Sequence, residues 1–247
     1  MTPFEIAAAV AAPTVFLAYG VFAIAAFGTA LIAAPVLAQV MPVAKVVPLL
    51  SLLDFVAAVS SLLRLRRSVS RSELMRLLPW MIAGAIAGAS LLLVLPARAM
   101  MIALGAFVAL YGLRGLLRTG VPPLLSHRWA APFGLAGGVL GGMFGTGGFI
   151  YAMYLSRRLE GEAMHATQSA LIALATAIRV SIFAFAGVYS DPALMLLFAL
   201  LLPAMALGLF AGHRVRPHLS RTQFLRFLHV LLVGSGLALA ARALAMP

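Results

Sequence analysis

Asp54 and Arg179 are the charged residues of stretches that otherwise carry no charge, Val46 to Leu63 and Ala166 to Val188. An ionised side chain in the middle of an apolar span is expensive unless it pairs or lines an aqueous cavity. Two chemistries follow. The two residues can form a structural ion pair, or Arg179 can hold a negatively charged solute while Asp54 tunes it or carries a proton. Thr176 lies one turn before Arg179 and shares its helical face. Gln168 lies on the same stretch, further from the arginine.

A second chemistry resides in glycine. Gly28-Thr29 and Gly145-Thr146-Gly147-Gly148 interrupt apolar runs. Glycine weakens a helix and suits an unwound turn. A helix that restarts after such a turn presents backbone N–H groups without partners, and its dipole favours an anion there. Thr29 and Thr146 add hydroxyls. Facing one another, the two restarts would form an anion cradle from Gly28, Thr29, Gly145, Thr146, Gly147 and Gly148, with no metal. The plainer alternative is that both runs only let helices pack. Upstream, Gly134, Gly138 and Gly142 are spaced by four, as are Gly137, Gly141 and Gly145. On a helix each set is a ridge without side chains, which admits a neighbouring backbone.

Membrane-spanning helices must position these groups. The chain is 64% hydrophobic and 10% charged, the composition of an all-α polytopic membrane protein. Its net charge of +12 comes from arginine clusters between apolar runs, where they set topology and do not signal nucleic acid. The first residues lack a basic n-region, so no cleavable signal peptide is expected. Residues 6–44 carry no charge, and as one helix would run roughly 58 Å, about twice the hydrocarbon core. A break is therefore expected, at Gly28-Thr29 or Pro35. Further spans are expected at 46–63, 77–95, 99–117 and 166–188, from Asp191 to near Ala211, and at 227–241.

The chain also repeats itself. Leu78-Pro79, Gly84 and Gly88 recur in the same spacing as Leu202-Pro203, Gly208 and Gly212, and Gly28-Thr29 recurs as Gly145-Thr146. This implies two membrane repeats, 1–120 and 121–247, divided in the connector that holds Pro122-Pro123. Arginine placement puts the basic loops 64–76, 114–128, 157–165 and 213–226 in the cytoplasm. Residues 128 and 157 then lie on the same side. Two full spans between them would need about 40 residues, so a re-entrant hairpin fits better. The repeats come out inverted in topology, each a broken helical hairpin plus three transmembrane helices. That plan recurs in secondary transporters, where equivalent breaks meet near the midplane.

Other chemistry is poorly supplied. There are no cysteines, which excludes disulfides and thiolate metal sites. His127, His165, His213, His218 and His229 show no metal spacing and read as interfacial. No Ser/His/Asp set or acidic pair is visible, so an enzyme, a metal site and a cofactor are not expected.

The sequence resembles the sulfite exporter TauE/SafE family of bacterial membrane proteins over nearly its whole length. The resemblance rests on the duplicated layout and on Gly28-Thr29-Ala30-Leu31, Pro35-Val36-Leu37, Gly145-Thr146-Gly147-Gly148 and Met164-His165-Ala166-Thr167-Gln168-Ser169. It departs after the second break, where Ala152 stands in place of a proline. What it implies is a secondary transporter in the bacterial inner membrane that exports sulfite or an organosulfonate by alternating access. The expected partners are a small anionic substrate and the lipid bilayer; homo-oligomerisation stays open. The competing expectations are a non-transporting membrane subunit that packs with a partner complex, or a permease for another solute.

Overall fold

The computed structural model describes residues 3–25, 27–117, 125–215 and a discontinuous set between 229 and 244. The division expected near residue 120, most of loop 213–226 and much of span 227–241 lie outside the described residues. The described chain is helical: α1 Pro3–Ala25, α2 Thr29–Leu37, α3 Val43–Leu65, α4 Arg71–Val94, α5 Ala97–Leu117, α6 Ala130–Phe144, α7 Gly147–Leu155, α8 Gly161–Phe185 and α9 Pro192–Val215. Five of these are long and apolar enough to cross a membrane: α1, α3, α4, α8 and α9. Their outer faces remain apolar. On α9, Leu196, Leu200, Leu207 and Phe210 share one exposed face, while Leu197, Leu201, Met205, Gly208 and Gly212 face inward. An all-apolar exterior is the mark of a helix solvated by lipid.

Helices α4 and α8 begin six and five residues earlier than the apolar windows at 77 and 166 suggest, at Arg71 and Gly161. Charged residues such as Glu73 and Glu162 occupy their first turns, where the helix dipole favours carboxylates. A second correction concerns the first break. Pro35 sits inside α2, and the chain unwinds at Gly28, which has φ 107°. In the second half the unwound residues are Gly145, at φ 73°, and Thr146; Gly147 and Gly148 already belong to α7.

The glycine ridges each find a backbone. A methyl on Gly142 would lie 2.7 Å from the Ala89 nitrogen of α4, and one on Gly138 would lie 2.9 Å from Ala85 N. The other ridge faces α7, with Gly141 against Gly147. The repeated glycines of α4 and α9 play equivalent parts. Gly84 and Gly88 press on the α6 backbone at Leu135 and Val139, and Gly208 and Gly212 press on the α1 backbone at Phe16 and Gly20. Thus α4 packs on α6, α9 packs on α1, and α3 packs on α8 between them.

Two polar clusters mark the ends of this bundle. In the first, Lys45 Nζ lies 2.7 Å from Asp191 Oδ2, and Tyr189 donates to the Pro48 carbonyl at 3.2 Å. Ala7, Val40 and Met41 line the same recess, so α1 starts near where α2 ends. In the second cluster, Glu73 is buried and accepts from Tyr154 Oη at 2.8 Å and from Arg158 Nε and Nη2 at 3.1 Å each. Arg158 also donates to the Leu125 carbonyl at 3.0 Å, which brings the end of α7 to the approach of α6. Ser68 donates to Glu162 here at 2.7 Å, and Arg76 meets His127. Both strands of the α6–α7 hairpin therefore leave from one end of the bundle, and α3 and α8 run between the two clusters.

Candidate functional site

The two unwound turns face each other. A methyl on Gly145 would come within 3.0 Å of Ala30 Cβ in the first turn of α2, and one on Gly148 within 3.4 Å of Phe27 Cβ. Nothing about glycine propensity alone requires this meeting. It follows from the close α4–α6 and α1–α9 packing, which carries both breaks to the centre of the bundle. There the N-termini of α2 and α7 enter a common cavity of about 20 Å³, and neither has a side-chain cap. The first-turn N–H groups of each are thus left for the cavity. A space of this size holds about one water molecule.

Nine of the ten residues singled out in the sequence line that cavity: Gly28, Thr29, Asp54, Gly145, Thr146, Gly147, Gly148, Thr176 and Arg179. The tenth, Gln168, is buried nearby and donates from Nε2 to the Gly148 carbonyl at 3.2 Å, bracing the first turn of α7. The threonines have already committed their protons or face other groups. Thr146 donates to the Leu140 carbonyl at 3.2 Å, and Thr176 donates to Ile172 at 2.7 Å. Thr29 faces the Asp54 carboxylate.

Asp54 and Arg179 approach, but loosely. Arg179 Nη2 stands 3.9 Å from Asp54 Oδ2, with both side chains 3% exposed. That is an ion pair without a hydrogen bond, since the separation exceeds the usual N–H···O range. Asp54 is otherwise engaged: Tyr19 Oη donates to its Oδ1 at 2.7 Å. Arg179 is not. Its Nε and Nη1 are buried and have no hydrogen-bond partner among the described residues, and Nη1 would stand 2.8 Å from a methyl on Gly145. Buried guanidinium donors in this condition carry a large desolvation penalty, which a bound anion would offset.

Tyr151 completes the set. It lines the same cavity, and its hydroxyl is buried with no partner among the described residues. The sequence reading passed over it, and over Tyr19. Both have a signal in hindsight. Tyr151 lies one turn into the helix that restarts at Gly147, and Tyr19 lies about two turns before Gly28. A hydroxyl-bearing aromatic beside a helix break in an apolar run warrants the same attention as the threonines.

The arrangement is a small receptor made chiefly of donors: one guanidinium, one phenol and two uncapped helix N-termini. The Asp54 side chain also lines it. Among the described residues, no group of three or more His, Asp or Glu side chains is placed to hold a metal ion.

A family model described as Sulfite exporter TauE/SafE matches residues 11–239 of the chain. That span holds every residue of the cavity. No curated protein matches the chain. No solved structure matches it either.

Proposed function

We propose, from the premise that the chain belongs to the sulfite exporter TauE/SafE family, that the cavity between the two breaks is its substrate site. The family is one of exporter-type membrane transporters for sulfur anions, and the chain is a multi-pass membrane protein. The finer reading is that it exports sulfite or a small organosulfonate across a bacterial inner membrane by alternating access. Gly28, Thr29, Gly145, Thr146, Gly147, Gly148, Thr176 and Arg179 surround the anion, with Gln168 as a brace and Asp54 as the charge that limits how tightly it is held. Tyr151 joins them.

The observation that carries this reading is Arg179. Its Nε and Nη1 are buried without partners among the described residues, beside two uncapped helix N-termini. A purely structural ion pair would use those donors on Asp54, which stands 3.9 Å away and takes its hydrogen bond from Tyr19 instead. The reciprocal packing of α1 on α9 and α4 on α6, with hairpins that open toward opposite polar clusters, supports two repeats of inverted topology. Rocking one against the other would expose the cavity to each side in turn. The cavity is narrow as it stands, which suits an occluded stage of such a cycle. Each negative charge leaving the cell gains about 2.3 kcal/mol per 100 mV of inside-negative potential, so export needs no coupling ion.

The test is sulfite flux in proteoliposomes with Arg179 replaced. Arg179→Ala is expected to abolish flux. Arg179→Lys is expected to retain little, because an ammonium cannot present two donors in a fixed fork. Undiminished flux through Arg179→Ala overturns the site.

A further inference from the structure

A second polar cavity lies along the same helices, toward the end of the bundle that holds Glu73 and Arg158. It measures about 180 Å³ and is lined by Ser61, Arg64, His165, Ser169 and His213, with Phe22 on its wall. Its lining contains a guanidinium and two imidazoles but no carboxylate. A wider recess of about 400 Å³ shares Ser61, Arg64 and His213 with it. The three spaces measure about 400, about 180 and about 20 Å³.

The cavities of about 20 and about 180 Å³ share one lining residue, Phe22, in the last turn of α1 just before the first break. Its side chain is buried, 4% exposed, and packs near the Tyr19 ring at 6.2 Å between centroids. Two helices run past it with one face toward both cavities. On α8, His165 and Ser169 line the outer space, and Ile172, Thr176 and Arg179 line the inner one. These positions advance by fours and threes, which keeps them on a single stripe. On α3 the same holds for Arg64 and Ser61 outside and Asp54 inside. Along α8 the stripe covers roughly 21 Å from His165 to Arg179 at 1.5 Å per residue.

We infer that the Arg64–His165–His213 cavity is an anion vestibule on the basic face of the protein, and that Phe22 is the barrier between it and the Arg179 site. This deepens the transporter reading and rests on it. The vestibule gathers sulfite or sulfonate by the Arg64 guanidinium in its lining, since a low-dielectric recess of one sign concentrates the opposite charge. Serine hydroxyls at 61 and 169 offer donors along the way. Phe22 is apolar and sits where the polar stripe narrows, so the anion passes only when α1 shifts or the ring rotates. The adjacent Gly28 turn gives α1 a point about which to move.

The chain has no cysteine, so single ones can be introduced into the full protein. Ser61→Cys, Ser169→Cys and Thr176→Cys are reconstituted in sided vesicles. Each is treated with membrane-impermeant methanethiosulfonates that bear either a sulfonate or a trimethylammonium group. The ratio of the two rates cancels differences in thiolate reactivity. S61C and S169C are expected to react from the Arg64 face alone and to favour the sulfonate reagent. Adding R64Q is expected to cut that preference roughly tenfold. T176C is expected to react slowly, and adding F22A to speed it roughly tenfold while S169C is unchanged. Should F22A not fold, Phe22→Leu keeps apolar volume and is expected to give a smaller rise. Equal rates for both reagents, or a T176C rate indifferent to position 22, overturns the vestibule. Sulfite flux in the same vesicles separates the two readings. Flux that depends on Arg179 beside uniform labelling removes the vestibule and leaves the transporter site. Flux indifferent to Arg179 removes the site, and the labelling pattern then judges the vestibule by itself.

Discussion

The two helix breaks share a sequence, Gly-Thr, and a backbone conformation, yet their surroundings differ in kind. Around Gly28 the polar groups are satisfied. Tyr19 donates to Asp54, Thr29 faces the same carboxylate, and a methyl on Gly28 would meet only Val21 Cγ1 at 3.5 Å. Around Gly145 the donors are left over. Arg179 Nε and Nη1 and the Tyr151 hydroxyl have no partner among the described residues, and a methyl on Gly145 would crowd both Arg179 and Ala30. The cavity thus has an acceptor half at the first break and a donor half at the second. The difference teaches that two similar breaks can line one cavity while unequal side chains flank them: in the proposed site the donor half would attract an anion, and the acceptor half would keep it from being held too tightly.

Removing the one charge from each half probes this contrast most severely. Arg179→Ala is expected to weaken sulfite binding at least about 30-fold, the loss that follows truncation of a buried charged donor. Asp54→Asn keeps the Tyr19 contact but removes the competing charge. Sulfite affinity is expected to rise roughly tenfold and turnover to fall, because an anion bound more tightly leaves more slowly. Isothermal titration and flux on the same preparations check both, and weaker sulfite binding by Asp54→Asn would break the comparison.

Next come the glycines. Gly28→Ala and Gly145→Ala each force a left-handed backbone on alanine, at about 1 kcal/mol. Only Gly145→Ala also displaces Arg179, so flux is expected to fall several times further for it than for Gly28→Ala. Equal losses would mean that the two halves contribute alike. The packing glycines behave in the opposite sense. Gly88→Ala and Gly212→Ala each drive a methyl into a facing backbone carbonyl, at Val139 and Gly20. They are expected to lower the melting temperature by similar amounts, each by several degrees, since overpacking costs about 1–3 kcal/mol.

The smallest effect belongs to the exposed pair at the end of the bundle. Lys45 holds the Asp191 carboxyl below its ordinary range, aided by the Ala193 N–H. A carboxyl depressed in the folded state stabilises above its unfolded pKa, and that contribution is lost as pH falls through the folded value. Asp191→Asn is therefore expected to lower the melting temperature by less than about 2 °C at neutral pH, because exposed ion pairs are worth little. The difference from the unaltered protein is expected to vanish in strong acid. Melting curves between neutral and acidic pH check this.

Much of the site was legible in the residues because membrane burial makes polar and flexible residues conspicuous. Asp54 and Arg179 stood out in charge-free spans, and Gly145-Thr146 stood out as a sequence a helix tolerates badly. Tyr19, Tyr151 and Phe22 did not, since an aromatic residue in an apolar run is ordinarily packing. Glu73 was also missed. It reads as one charge of a basic loop, yet it is buried and receives Arg158 and Tyr154 from the far strand of the second hairpin. Such pairings link residues about eighty positions apart, and local spacing carries no trace of them.

The sequence by itself determined that this is a helical membrane protein with recurring Gly-Thr and Leu-Pro motifs, two glycine breaks and two deep charges of opposite sign. Hydropathy, glycine content and arginine placement suffice for that, because lipid penalises every alternative locally. Only the tertiary structure decided that the breaks face each other, that Tyr19 satisfies Asp54 first, and that Arg179 is left with donors to spare. Those outcomes depend on how α1, α3, α6 and α8 cross, and crossing is set by contacts summed over whole helix faces, not by any one residue's preference.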